Sequence, residues 1–133
     1  MEADEARIQD AEQRLGVRFP DDYRSFLTAE GAVGRVVESA GNYLRLQPLE
    51  ELVAVNAAGE MQTRFPGAVA IGDDGSRELL VYDFRKDPPP LLLLDVTAED
   101  WHAGLYQAGS FTEFLRLFSR RGWNWGPPEA VTR

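Results

Sequence analysis

At 133 residues, 44% hydrophobic and with a net charge of −8, the chain can bury one core, is too apolar for an acidic disordered tail, and repels nucleic acid while attracting basic protein surfaces. It has no cysteine, hence no disulfide framework or thiolate metal site, no apolar run near the ~20 residues of a membrane helix, and an acidic start, Met1-Glu2-Ala3-Asp4-Glu5, where an export signal is basic. A cytoplasmic protein with neither membrane nor nucleic-acid partners is the expectation.

From Glu5 to Leu15, Ile8, Ala11 and Leu15 fall on one stripe at helical spacing, and Gly16 stands where a helix ends. After an extended Val17-Arg18-Phe19, Pro20 suits a first helical turn, and Asp21 and Asp22 favour the positive end of a helix dipole. Tyr23, Phe26 and Leu27 give this second helix a buried face, and Gly31 and Gly34 stop it near Glu30. Val36-Val37 and Tyr43–Leu46, separated by Ser39-Ala40-Gly41-Asn42, read as a hairpin of two short strands, with Pro48 ending the second. Leu49–Ala57 suits a short helix, and residues 58–66 read as irregular.

The centre of the chain is Gly67–Asp95. Three apolar runs, Ala68–Ile71, Leu79–Phe84 and Leu91–Leu94, are separated by Asp74-Gly75, which tolerates a reversing turn, and by Pro88-Pro89-Pro90, which leads into a strand without donating to one. A three-stranded antiparallel meander follows from that pattern. Thr97-Ala98-Glu99-Asp100 resembles a capped helix start or a polar turn. Ser110 with Glu113 three residues on forms a capping box opening a helix lined by Phe111, Phe114, Leu115 and Phe118. The tail from Gly122 cannot continue that helix. Trp123 and Trp125 alternate across Asn124, either projecting together from an extended tail or folding back onto the core.

Little in the sequence points to a particular chemistry. The single histidine, His102, sits beside Trp101 without a G-x-S-x-G elbow, which leaves a Ser-His-Asp triad without support. One His and no Cys do not make a zinc site. Asp73, Asp74 and Glu78 cluster in a loop but lack the spacing of an EF-hand, and Asp73-Asp74-Gly75 reads as turn chemistry. Gly31-Ala32-Val33-Gly34 has the G-x-x-G form of a phosphate-clamping loop but lacks its basic neighbours, and Lys86, the only lysine, belongs to no Walker motif. With 22 acidic residues, carboxylate pairs arise by chance, and spacing in sequence does not identify a hydrolytic one. No cofactor, no metal and no catalytic residue are expected.

In order, Ile8, Ala11-Glu12, Leu15-Gly16, Phe19-Pro20, Asp22-Tyr23, Phe26-Leu27 and Gly31 resemble the opening helix pair of the SUKH superfamily. Ile71-Gly72-Asp73-Asp74-Gly75-Ser76 resembles the turn after its first meander strand, Tyr82-Asp83 its next strand, and Ser110–Leu115 its closing helix. The resemblance runs from about Ile8 to Phe118. It implies a single α+β domain over residues 1–133, core 5–118 and tail 119–133, with a mixed or antiparallel bent sheet of about five to six strands and helices packed on it. It also implies a non-enzymatic binding protein. The superfamily includes bacterial immunity proteins that neutralise secreted toxins, often nucleases, and fungal cell-wall assembly regulators. The first expectation is therefore an immunity protein that binds and occludes a cognate toxin with a basic surface. The alternatives are a regulatory scaffold of the cell-wall-regulator type and, behind both, a small hydrolase using a carboxylate pair. The expected partner-binding residues are the carboxylates Asp73, Asp74, Glu78 and Asp83, with Tyr43 and Trp101 as apolar anchors.

Overall fold

Apolar residues at helical spacing set the first two elements of the computed structural model, which describes residues 5–30, 35–39, 41–57 and 61–126. Helix α1 (Glu5–Leu15) turns Ile8 and Ala11 inward, and helix α2 (Asp21–Glu30) turns Tyr23, Phe26 and Leu27 inward. The two are joined by Glu12, a buried carboxylate that accepts from the Phe19 amide at 2.7 Å and from Arg24 at 3.1 Å. Gly31 and Gly34, expected to end α2, lie outside the described residues, as does the G-x-x-G stretch they bound.

The sheet follows the chain. Strands β1 (Arg35–Ser39), β2 (Asn42–Leu46), β3 (Ala68–Asp73), β4 (Glu78–Asp83), β5 (Leu91–Asp95) and β6 (Leu105–Ala108) stand side by side in sequence order. Every neighbouring pair is antiparallel. The predicted hairpin and meander are present, and β6 adds a strand that the sequence pattern did not single out. Helices α3 (Leu49–Ala57) and α4 (Met61–Arg64) connect β2 to β3, and α4 occupies part of the stretch read as irregular. A 3₁₀ turn (Trp101–Ala103), its start capped by Asp100, precedes β6, and the Ser110 capping box opens α5 (Phe111–Arg121).

Strand β3 is buried along its whole length because both faces of the sheet are covered. On one face Val69, Ile71, Leu80, Tyr82, Leu91 and Leu93 pack under the helices in the main core. On the other, Ala68, Ala70, Val81 and Leu94 meet Met61 and Phe65 in a smaller cluster. Tyr23 is the hub of the main core, with ring centroids 5.2 Å from Phe19, 5.7 Å from Tyr82 and 5.1 Å from Phe111. Each such large apolar side chain stabilises the fold by roughly 1.5–3 kcal/mol when fully buried.

Strand β2 pairs with only the end of β3, through Arg45↔Asp73 and Leu46↔Gly72. Beyond that point side-chain carboxamides take the place of a strand. Asn56 of α3 accepts from the Ala70 amide at 2.6 Å and donates to the Ala70 carbonyl at 2.9 Å. Gln62 donates to the Ala68 carbonyl at 2.6 Å and accepts from the Gly67 amide at 3.2 Å. The backbone of β3 is thereby satisfied on a side where no ladder reaches it.

The same device closes the sheet. Gln107 of β6 accepts from the Asn124 amide at 2.9 Å and donates to the Asn124 carbonyl at 2.8 Å. The adjacent Trp123 indole donates to the Tyr43 carbonyl of β2 at 3.0 Å and packs on Phe114 and Phe118. Helix α5 lies against β1 and β6, the two edges of the sheet. Trp123 is thus part of the core, whereas Trp125 is 54% exposed. The two tryptophans part company.

Candidate functional site

The β3–β4 turn is shaped by two adjacent aspartates with different tasks. Asp73 is buried, and its Oδ2 accepts from Arg45 and from Gln47, each at 2.9 Å. Its Oδ1 accepts from the Gly75 amide at 2.8 Å. Asp74 uses Oδ1 to hold the amides of Ser76 (2.9 Å) and Glu78 (3.1 Å), an Asx-type turn. Its Oδ2 has no partner among the described residues. Gly75 has φ of +81°, and a Cβ there would stand 2.8 Å from the Tyr43 ring. The turn therefore lies directly on Tyr43, which is half-buried.

Beside the turn, the β4–β5 register sets Glu78 opposite Asp95. Burial, then a hydrogen bond shared with Asp95 and the charges of Asp95 and Asp74, push the Glu78 carboxyl up to about 7. Asp95 moves the other way: the Thr97 hydroxyl (2.7 Å) and amide (2.8 Å) hold it well below the usual carboxylate range, with Glu78 and Arg77 adding to the effect. Glu78 is thus the member of the pair whose affinity for a proton is raised, while Asp95 is held in its ionised form.

Asp83 and Trp101 stand at the opposite end of β4, about 17 Å from Glu78 at ~3.4 Å per strand residue. Asp83 is 1% exposed and is held by Arg85 through Nε (2.9 Å), Nη2 (3.0 Å) and the backbone amide (3.0 Å). The Arg85 guanidinium lies 4.2 Å over the Trp101 ring, whose indole N–H donates to the Pro66 carbonyl at 3.1 Å. The six expected partner-binding residues thus divide. Tyr43, Asp73, Asp74 and Glu78 come together, with Asp73 turned inward, while Asp83 and Trp101 form a separate cluster around Arg85. Sequence reasoning placed Asp95 at the end of the third meander strand but not among the partner-binding residues. Counting the β4–β5 ladder outward from the prolines is the signal that finds it.

The arrangement at the turn can hold and exchange protons and can face cations. Among the described residues there is no group of three or more His, Asp or Glu able to hold a metal ion. His102 is exposed, and Asp100 accepts from its backbone amide at 2.9 Å.

A family model described as SMI1 / KNR4 family (SUKH-1) matches residues 2–117. The chain belongs to that family. The match spans all the sheet strands and most of α5 of this SUKH-1 domain. No curated protein matches the chain. No helix among the described residues is long and apolar enough to cross a membrane.

Proposed function

We propose that this SUKH-1 domain is a non-enzymatic protein-binding module of the cytoplasm, an immunity protein that neutralises a cognate bacterial toxin by binding and occluding it. The observation that supports this most directly is the gathering of Asp74, Glu78 and Asp95 around the β3–β4 turn, beside Tyr43, in a chain of net charge −8. Asp73 beneath them is neutralised by Arg45, and Asp95 is paired with Arg77 at 3.2 Å, so the frame is fixed from within and Asp74 is presented on it with its Oδ2 unspent. A toxin that acts on nucleic acid carries basic groups for its substrate, and these carboxylates compete for them. Opposite charges speed encounter, while buried aromatic anchors such as Tyr43 supply most of the affinity.

The test begins with a tagged pull-down from the source strain, followed by co-expression of the domain with each captured protein. The expected result is capture of one basic toxin domain, released at high salt, whose growth arrest is relieved by co-expression. Capture of wall-synthesis or signalling proteins, with no relief of any toxin, would replace this reading with a regulatory scaffold. With the toxin in hand, D74N/E78Q/D95N is expected to slow association roughly tenfold at low salt and to flatten its salt dependence. An unchanged rate and slope would sink the electrostatic half of the proposal.

A further inference from the structure

A cleft of about 480 Å³ opens at the far end of β4 from the acidic turn, lined by Arg64, Pro66, Arg85, Asp100, Trp101 and His102. Two arginines meet here in a chain that is otherwise strongly acidic. Arg64 reaches in from α4, and its Nη1 is spent on backbone carbonyls, Val96 at 3.1 Å and Ala98 at 3.0 Å. No carboxylate among the described residues forms an ion pair with it. Its charge is anchored but not neutralised.

Arg85 is held differently. One edge of its guanidinium is fixed on buried Asp83, and one face lies on Trp101. Its Nη1 donors have no partner among the described residues, and its side chain remains 46% exposed. The guanidinium is therefore oriented before any ligand arrives, which removes much of the ordering cost of a new hydrogen bond. Trp101 and Pro66 supply an apolar wall beside it. Asp100 lines the same cleft and keeps its Oδ1 on the His102 amide, so a singly charged anion fits better than a phosphate dianion.

We propose that this cleft binds the C-terminal carboxylate of a peptide segment of a protein partner, with Arg85 and Arg64 donating to the oxygens and the last side chain of the peptide lying on Trp101. The inference stands apart from the toxin-binding role of the acidic turn, and either can fail without the other.

The test uses the whole chain, ¹⁵N-labelled, titrated with an acetylated tetrapeptide that ends in a free carboxylate. Its C-terminal amide and inorganic phosphate serve as parallel probes. The signals followed are the Arg85 Nε–H and the Trp101 indole N–H, the latter assigned with W101F. Saturable shifts of both with the carboxylate peptide, at least tenfold weaker with the amide and with phosphate, are expected. R64Q should raise the midpoint at least fivefold, with other spectral changes confined to the cleft and to the Val96–Ala98 segment whose carbonyls Arg64 holds. R85K, which keeps a cation for Asp83 but loses the planar fork, should do the same. Equal response to the amide would overturn the carboxylate assignment, and equal response to phosphate would reassign the cleft to general anion binding. An unchanged midpoint in both variants, or no shift at millimolar peptide, would remove the site altogether.

Discussion

Tyr23 and Tyr82 bury their hydroxyls without a hydrogen-bond partner among the described residues, and burial pushes both phenols well above the usual tyrosine range. A buried polar atom left unpaired costs about 1–3 kcal/mol. Tyr82→Phe keeps the ring that meets Tyr23 and Phe84, so it should leave stability unchanged or raise it by about 1 kcal/mol in urea unfolding. Tyr82→Ala, which removes the ring, should cost about 3–5 kcal/mol. Glu78 carries a pH signature of its own. Its folded value of about 7 lies above the ordinary 4.5, so its favourable contribution is complete below pH 4.5 and lost as pH rises through 7. Glu78→Gln removes that loss. Relative to the native chain it should gain roughly 1–3 kcal/mol between pH 5 and pH 8, read from unfolding midpoints at the two pH values. Asp95 works in the opposite sense and in a more acid range, and each carboxyl is among the causes of the other's shift.

Among the elements, α3 carries the least expected duty. Asparagine is a poor interior helix residue, and surface reasoning would make Asn56→Ala a gain of several tenths of a kcal/mol. The structure reverses that sign, because Asn56 is the partner of the Ala70 amide and carbonyl. Asn56→Ala should cost about 1–3 kcal/mol in chemical denaturation, and faster amide exchange at Ala70 should accompany it. The same residue shows where reading the sequence stops. Period and turn chemistry located α1, α2, α5, the hairpin and the meander, since each is long enough to repeat its pattern or is bounded by Gly, Pro or Asp. Strand β6 has four residues, and its buried Gln107 breaks the apolar alternation that marks a strand. Helix α4 is a single turn. At the site, Asp73 and Asp74 are neighbours that the sequence treats alike. Arg45, 28 residues earlier, and Gln47, 26 residues earlier, turn one inward. The Glu78–Asp95 contact likewise exists only once β4 and β5 are in register.

At the scale of the molecule, the two ends of β4 are chemically unlike, one crowded with carboxylates and the other offering two oriented arginines beside an indole. Between them lie the covered faces of the sheet, with Trp123 closing the larger one. Trp123→Ala should cost about 3–5 kcal/mol, measured by thermal or urea unfolding, while Trp125→Ala, at an exposed position, should stay within about 0.5 kcal/mol of the native chain. The Trp123 bond to Tyr43 joins residues 80 positions apart, and the Gln107–Asn124 exchange sits next to it. A nascent chain therefore makes β2 long before it makes the residues that pin β2 to the last helix. Until then the inner side of α5 and the exposed rim at Tyr43 are open to other chains. Contacts of such separation slow the search for the native state. The interval before closure, rather than the finished protein, is when this domain is most open to aggregation.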